Sequence, residues 1–240
     1  MKLRPAESAG KRRAIVDAAT DLFLSRGYAG TSMDEVAAQA AVSKQTVYKQ
    51  FADKDGLFAE VVMGVSGTVD AFIDSIEQAL TASDNLPRDL GGLARIYVKT
   101  VMLPRVLQLR RLLIGEATRF PELGRHYYER GPERVIAAIA GCVARLAARG
   151  LLHAPDPLLA AQHFAFLVLS IPMDRALVRG ESSFSQAELE RLADAGVEVF
   201  LAAYGGAERR LGHRLSKLNR DVGAAGESPT FVTYAAEAVT

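Results

Sequence analysis

The sequence predicts an all-α fold, in which a small N-terminal unit of three helices precedes a larger helical domain. Apolar residues recur at helical spacing through most of the 240 residues, and signals for strands are absent. A composition of 49% hydrophobic and 24% charged residues is that of a globular protein with a substantial core. We place the N-terminal unit at residues 1–54, with 1–10 as a flexible lead, the larger domain at 55–204, and a C-terminal extension at 205–240.

The first predicted helix begins near Lys11 and ends at Gly27, because glycine readily adopts the left-handed conformation that follows many helices. Its apolar residues lie three and four positions apart, so they share one face of an amphipathic helix. The residues of this face are Ile15, Ala18, Ala19, Leu22 and Phe23.

Two short capped helices follow the first one. Ser32 and Glu35 have the spacing of a capping box at the start of the second helix. Ser43 is placed to cap the third helix, and Val42 to pack on Val47 as a hydrophobic staple. Since about three residues separate the two helices, they must cross steeply. The pattern therefore predicts a helix-turn-helix.

The third helix is predicted to expose a polar face. Val47 and Phe51 lie four positions apart and face inward, which leaves Gln45, Tyr48 and Lys49 outward. A glutamine amide can make two hydrogen bonds to adenine, while lysine and tyrosine can bind phosphate oxygens. These residues indicate a surface for DNA, and the alternative is an ordinary solvated face.

Charge is distributed unevenly along the chain. The formal net charge is only +1, yet residues 1–54 carry nine Lys and Arg residues against six Asp and Glu residues. A basic unit on a near-neutral body favours contact between one end of the molecule and phosphates.

The segment from Lys11 to Phe58 resembles the DNA-binding region of TetR-family transcriptional regulators. The resemblance covers about 50 residues and rests on a set of matching positions. They are Ala18-Ala19 to Phe23, Gly27-Tyr28, Thr31-Ser32, Val36-Ala37, Val42-Ser43-Lys44, Thr46-Val47-Tyr48, Phe51 and Lys54-Asp55-Gly56-Leu57-Phe58.

This resemblance implies roles for nine residues of the N-terminal unit. Two are expected to read bases, Gln45 and Thr46. Seven are expected to position phosphates: Thr31, Ser32, Ser43, Lys44, Tyr48, Lys49 and Lys54.

The chain departs from the family pattern at two positions. Ala41 stands where the family usually has glycine, and a left-handed residue there would cost roughly 1 kcal/mol unless the backbone adjusts. Gln45 stands where the family often has a small residue. We therefore expect this protein to read a DNA sequence of its own.

Helical periodicity continues through the larger domain. A long connecting helix is predicted from about 54 to 80, and Gly64 and Gly67 mark either a hinge within it or close helix packing. Further helices are predicted near 89–103, 105–115, 119–129, 132–149, 156–179 and 185–204.

We expect neither an enzyme nor a metal or cofactor, because no catalytic or metal-ligand spacing occurs and the four histidines are scattered. The resemblance implies a small-molecule effector between the helices of the larger domain. Arg111 and Glu116 are possible polar anchors, although with Arg110 they could equally form a solvated ion-pair cluster. The candidate lining residues, each of which could instead belong to the core or surface, are Tyr97, Met102, Arg110, Ile114, Phe120, Cys142, His163, Phe164 and Met173.

The stretch 158–178 is apolar nearly all round. With residues 197–204 it predicts a face that pairs with a second copy as a four-helix bundle, and the alternative is burial within one large core. Its apolar run is shorter than the roughly 20 residues of a membrane span, and the N-terminus does not resemble a secretion signal. We expect a cytoplasmic protein without a membrane partner.

The leading interpretation is a homodimeric, ligand-responsive repressor of a palindromic double-stranded DNA operator. An activator, a small-molecule-binding helical protein without DNA binding, and a helical enzyme are the alternatives. Segment 207–220 is expected to be a surface helix or a DNA-contacting tail, and 221–240 to be poorly ordered.

Overall fold

The fold is all-α, as predicted. The computed structural model describes residues 5–65, 69–81, 85–179 and 184–206, and these ranges contain no strand beyond one isolated bridge between Leu152 and Gly205. A π-helical turn, Glu129–Glu133, joins the helix that ends at Tyr128 to the helix that begins at Arg134. The helices are α1 (Pro5–Arg26), α2 (Met33–Gln39), α3 (Lys44–Gln50), α4 (Lys54–Val65), α5 (Val69–Thr81), α6 (Leu86–Val101), α7 (Pro104–Glu116), α8 (Pro121–Tyr128), α9 (Arg134–Ala148), α10 (Pro157–Arg179) and α11 (Gln186–Tyr204).

Several predictions concern residues at or beyond the limits of these described ranges. Helix α1 begins at Pro5, so residues 5–10 of the expected flexible lead over 1–10 are helical, and their flexibility stays a prediction. The connecting helix is described as α4 and α5, and Gly67 falls between the described ranges. Gly64 lies within α4, where an added Cβ would meet no described atom within 4 Å, so close packing does not explain this glycine. The segments 207–220 and 221–240 lie outside the described residues.

Local sequence determines the N-terminal helices, which with α4 form the unit that we call the head. Gly27 has a φ of +75°, and its amide donates to the Phe23 carbonyl at 3.0 Å to end α1. Ser32 and Glu35 form the predicted capping box of α2. Ser43 caps α3, since its hydroxyl accepts from the Thr46 amide at 3.2 Å.

The core of the head extends beyond the predicted boundary at residue 54. It includes Leu57 and Phe58 of α4, and it also includes Leu109 and Leu113 of α7, which begins far along the chain. Helix α7 therefore belongs to the packing of both parts of the molecule.

The larger part, which we call the body, is built on α5, α6, α9, α10 and α11. Its core contains Phe164 and Phe200, whose rings meet edge to face at 5.3 Å between centroids. Gly196 allows α11 to approach α10 closely, because a Cβ there would lie 2.8 Å from the Leu167 carbonyl oxygen. The two longest helices of the body consequently pack backbone against backbone.

By length and apolar composition, two stretches could cross a membrane: Lys54–Leu80, which runs over residues outside the described ranges, and α10. Helix α10 buries eight of its residues against the body. It also leaves apolar side chains exposed, so the alternative of full burial within one core is wrong. The exposed apolar residues of α10 are Leu158, Leu159, Phe166, Ile171 and Val178.

Candidate DNA-binding face and body cavities

The outward face of α3 carries side chains without intramolecular partners. Val47 is fully buried against the head, which turns Gln45, Tyr48 and Lys49 to the opposite side. Tyr48 is 45% exposed, an unusual state for an aromatic side chain. Within the described part of the chain, these three side chains make no hydrogen bond or ion pair with one another or with their neighbours. They form a polar surface that is free to bind another molecule.

The residues beside this surface are held by hydrogen bonds that shape the helix. The Lys44 ammonium lies 2.7 Å from an Asp34 carboxylate oxygen, and this hydrogen bond raises the pKa of Lys44. The Thr46 and Ser43 hydroxyl oxygens are 2.8 Å apart at the start of α3. Ser32 likewise shares its hydroxyl with Glu35, and both residues remain near the surface. These four predicted contact residues frame the free face of α3.

Thr31 and Lys54 differ from the other predicted contact residues. Thr31 is buried, and its hydroxyl donates to the Gly27 carbonyl at 2.9 Å, so a phosphate would have to replace this hydrogen bond and the predicted contact stays a prediction. Lys54 is half-buried, with its ammonium 4.2 Å from the centre of the Tyr28 ring. Burial lowers the pKa of Lys54. Its phosphate contact stays a prediction, and its observed partner is this ring.

The turn before α3 contains a strained residue. Ala41 has a φ of +52° and is the single non-glycine residue with positive φ among those that the structure describes. The backbone therefore retains the left-handed turn that the family pattern suggests, and alanine carries its steric cost.

The segment between α7 and α8 meets the head at a group of aromatic and charged residues that sequence reasoning missed. Phe120, between α7 and α8, lies 5.0 Å from the Tyr28 ring and 5.4 Å from the Phe58 ring, measured between centroids. The Arg119 side chain stacks on the Tyr28 ring, with its guanidinium carbon 4.4 Å from the ring centre. We call Tyr28, Asp55, Phe58, Arg119 and Phe120 the junction cluster.

Polar contacts close the junction cluster. The Tyr28 hydroxyl donates to Asp55, and an Arg119 nitrogen lies 3.9 Å from the same carboxylate. Burial raises the pKa of Tyr28 to about 12, with a further contribution from the hydrogen bond to Asp55. Tyr28 therefore remains a neutral donor at physiological pH, and it fixes the start of α4 to the end of α1.

Two adjoining cavities lie in the body. The smaller one has a volume of about 80 Å³ and the larger one about 190 Å³. Tyr97, Arg110 and Pro132 line both cavities and form the wall between them. Apolar side chains make up most of the remaining surface of each cavity, including Phe72 in the smaller one and Leu169 in the larger one.

Arg110 in this shared wall lacks strong hydrogen-bond acceptors. The Nε atom of Arg110 is buried without a hydrogen-bond partner, and its Nη1 donates to the sulfur of Met173 at 3.4 Å. Burial raises the pKa of Tyr97 to about 12. None of the residues that line the two cavities is acidic.

The structure brings together only some of the predicted ligand-binding residues. Tyr97, Arg110 and Met173 line the cavities, whereas the other six candidates lie elsewhere. Ile114 is 64% exposed, and Phe120 belongs to the junction cluster. The remaining four occupy positions in the core or on the surface: Met102, Cys142 and Phe164 are buried, and His163 is hydrogen-bonded to Tyr204.

The other predicted anchors also have separate positions. Arg111 donates to the Ala176 carbonyl at 2.9 Å, and neither Arg111 nor Glu116 lines a cavity. Tyr127, Tyr128 and Pro132 line the cavities without having been singled out from the sequence. Among the described residues, no group of three potential metal ligands lies close together.

Two family models match the chain. Residues 15–61 match the model for bacterial regulatory proteins of the tetR family, and residues 88–206 match the C-terminal domain of AefR-like transcriptional repressors. Together they cover most of the head and most of the body.

Solved structures resemble the whole described fold. One from Mesorhizobium loti, described as a TetR-family transcriptional regulator, is 47% identical with a TM-score of 0.78, and the match covers 85% of this chain and 100% of that chain. The flavonoid-responsive regulator FrrA is 31% identical with a TM-score of 0.60, and the match covers 81% of this chain and 97% of that chain.

Curated relatives match over shorter segments. The transcriptional activator FasR of Mycolicibacterium smegmatis is 37% identical over 79 residues, which are 32% of this chain and 35% of that protein. The transcriptional repressor Rv3405c of Mycobacterium tuberculosis is 41% identical over 73 residues, which are 28% of this chain and 39% of that protein. In both cases the match spans well under half the length of the curated relative.

Proposed function

The chain belongs to the TetR family of transcriptional regulators, and from this premise we propose that it is a ligand-responsive repressor that binds a palindromic operator as a homodimer. The observation that carries the proposal is the free outward face of α3, formed by Gln45, Tyr48 and Lys49. An exposed tyrosine beside a lysine and an amide has donors for phosphates and for base edges. A chromosomal operator places the protein in the cytoplasm.

The residues of the head divide into base-reading and phosphate-binding groups in this proposal. Gln45 would hydrogen-bond the major-groove edge of adenine, and Thr46 would contact the neighbouring base. Tyr48 and Lys49 would bind the backbone phosphates, and Lys44 would join them by exchanging Asp34 for phosphate. Ser32 and Ser43 lie at helix starts, where backbone amides also favour phosphate.

Two features support the proposed homodimer. A palindromic operator presents its half-sites roughly 34 Å apart, or at a multiple of that distance, and a second recognition helix is needed to reach the second half-site. The body has a candidate dimer face on α10 and α11, where Leu159, Ile171 and Val199 are 44–59% exposed. Pairing this face with its copy would form a four-helix bundle and remove these side chains from water.

Sedimentation velocity of the full chain tests the dimer. We expect a dimer for the unmodified protein and a monomer for Ile171→Glu, because the charge would be buried in the paired face. Ile114→Glu is the matched control, since Ile114 is equally exposed but lies on α7. A dimer that survives Ile171→Glu and is lost in Ile114→Glu would place the interface elsewhere.

The body supports the proposal that the protein is a repressor and that a bound ligand releases it from DNA. The match over residues 88–206 is to a repressor C-terminal domain, and a relative that is 31% identical is named as flavonoid-responsive. The cavities at Tyr97 and Arg110 would hold the effector. An activator is the alternative, which the name of FasR favours, since that relative is 37% identical over 79 residues. A reporter gene behind the operator distinguishes the two, since deletion of a repressor raises expression and deletion of an activator lowers it.

Selection of genomic fragments with purified protein tests DNA binding. We expect enrichment of fragments that share one palindrome, with affinity that falls steeply as salt rises from about 50 to 200 mM because phosphate contacts release counterions. Absence of any enriched sequence would refute the proposal. If the cavities still bound a small molecule in that case, the chain would be a ligand-binding protein without DNA binding.

A further inference from the structure

Arg110 is an isolated charge between the two body cavities. Among the described residues that line either cavity, it is the single charged side chain, and the rest are apolar or are neutral polar residues such as Tyr97 and Tyr128. A positive group that faces apolar cavities without a counter-ion attracts an anion from solvent.

The donors of Arg110 are poorly used within the chain. A guanidinium presents five N–H groups in a planar fork that fits a carboxylate. Here the Nε atom is buried without a partner, and Nη1 donates to the thioether sulfur of Met173, which is a weak acceptor. A bound anion could replace that contact and also satisfy Nε.

The shared wall adds a second donor and no competing acid. Tyr97 lines both cavities beside Arg110, and its burial keeps the phenol protonated. A protonated hydroxyl and a guanidinium together suit the two oxygens of a carboxylate. The apolar walls beyond them, such as Ile136 and Leu169, suit a hydrocarbon body.

We propose that the effector is a small apolar carboxylate, whose head group binds Arg110 and Tyr97 and whose body fills the larger cavity. The inference rests on the proposed function, because it names the ligand class of the cavities assigned to the effector. The larger cavity, about 190 Å³, is close in size to an apolar cavity of roughly 150 Å³ that accepts one benzene ring. A carboxylate on a single aromatic ring is therefore the favoured size.

Helix α7 links this ligand to the head. Arg110 faces the cavities, while Leu109, the preceding residue, and Leu113 belong to the head core. A carboxylate that draws the guanidinium away from Met173 acts on the same helix that supports α1 and α4. Ligand binding would thereby change the position of the head relative to DNA.

Calorimetric titration of the full chain tests the ligand class. The probes are benzoate, phenylacetate and octanoate, each compared with its neutral amide. We expect phenylacetate or benzoate to bind about 30-fold more tightly than the matching amide, because the carboxylate makes charge-assisted hydrogen bonds. Octanoate tests whether a linear chain fits as well as a ring.

Two variants assign this preference to Arg110. Arg110→Gln is expected to remove the difference between carboxylate and amide, and Arg110→Lys to retain part of it, because lysine keeps the charge and loses the fork. Arg111→Gln is the matched control: its guanidinium also bridges α7 to α10 but contacts a backbone carbonyl outside the cavities. This control should bind carboxylates within about threefold of the unmodified protein.

The inference is overturned if no carboxylate binds more tightly than its amide, or if Arg110→Gln preserves the preference. Operator binding in the same samples separates this failure from failure of the proposed function. A protein that binds its operator and is released by a neutral compound would retain the proposed function and refute the carboxylate. A protein that binds carboxylates but selects no DNA would support the carboxylate site and refute the proposed function.

Discussion

The outer face of α3 and the wall between the body cavities both present polar groups without intramolecular partners, but in opposite surroundings. Gln45, Tyr48 and Lys49 are exposed, so water satisfies them when nothing is bound. The Nε atom of Arg110 is buried, and its unmet hydrogen bond costs about 1 to 3 kcal/mol. A surface for DNA can thus be held ready without loss of stability, whereas a buried ligand site reduces the stability of the ligand-free protein.

Loss of Phe120 is expected to have the largest effect on stability, because this residue packs the segment between α7 and α8 against the core of the head. Phe120→Ala should lower the free energy of unfolding by about 2 to 3 kcal/mol, since it removes ring contacts with Tyr28 and Phe58. Urea denaturation measures this change. Phe184→Ala is the control, because Phe184 is also partly buried but packs against the body core and under Arg175, away from the head. If Phe120→Ala alters neither stability nor operator affinity, the junction cluster does not hold the segment between α7 and α8 against the head.

The close packing of α10 and α11 predicts the next largest effect on stability. Gly196→Ala should lower the free energy of unfolding by about 2 kcal/mol, because the added Cβ meets the backbone of Leu167 at 2.8 Å. Gly115→Ala should instead raise it by up to about 1 kcal/mol, since nothing lies within 4 Å of a Cβ there and alanine favours helix. Thermal denaturation that ranks the two variants in the opposite order would contradict the backbone contact between α10 and α11.

The contrast between buried and exposed charge predicts a gain in stability. Arg110→Met should raise the free energy of unfolding of the ligand-free protein by about 1 kcal/mol, because it removes a buried donor without a partner. Lys49→Met on the exposed face should change it by less than about 0.5 kcal/mol. Equal effects of the two substitutions in urea would show that the surroundings of Arg110 are as hydrated as those of Lys49.

The strained turn between α2 and α3 predicts a gain in stability that is no larger than that of Arg110→Met. Ala41→Gly should raise the free energy of unfolding by about 1 kcal/mol, because glycine adopts the φ of +52° without steric strain. Ala38→Gly, on the exposed side of α2, should lower it by about the same amount. A loss of stability in Ala41→Gly, measured by thermal denaturation, would show that the turn is not strained.

The head could be predicted from sequence because neighbours along the chain determine it. Gly27 ends α1, and Ser32 and Ser43 start α2 and α3 through contacts within four residues. The same local signals predict the helices of the body to within about three residues, as for α6 and α11. Spacing also identifies the outward face of α3, since one buried valine fixes which side chains face out.

The body site could be predicted only in part, because it depends on contacts between distant residues. Tyr97, Arg110 and Pro132 meet from three separate segments, and periodicity cannot distinguish an apolar cavity wall from an apolar core. Phe120 was assigned to the pocket for the same reason, although it lies against Tyr28, 92 positions earlier. The burial of Thr31 likewise cannot be read from its sequence match, because it depends on packing within the head.

Operator titration with the double variant Tyr48→Ala, Lys49→Ala tests the role of α3 most directly. We expect about 100-fold weaker binding at fixed salt and a shallower salt dependence, because a phosphate contact is lost. The thermal midpoint should remain that of the unmodified protein, since both residues are exposed. Lys99→Ala, which removes an exposed charge from α6, is the control and should bind as before. Unchanged affinity in the double variant would contradict DNA recognition by α3.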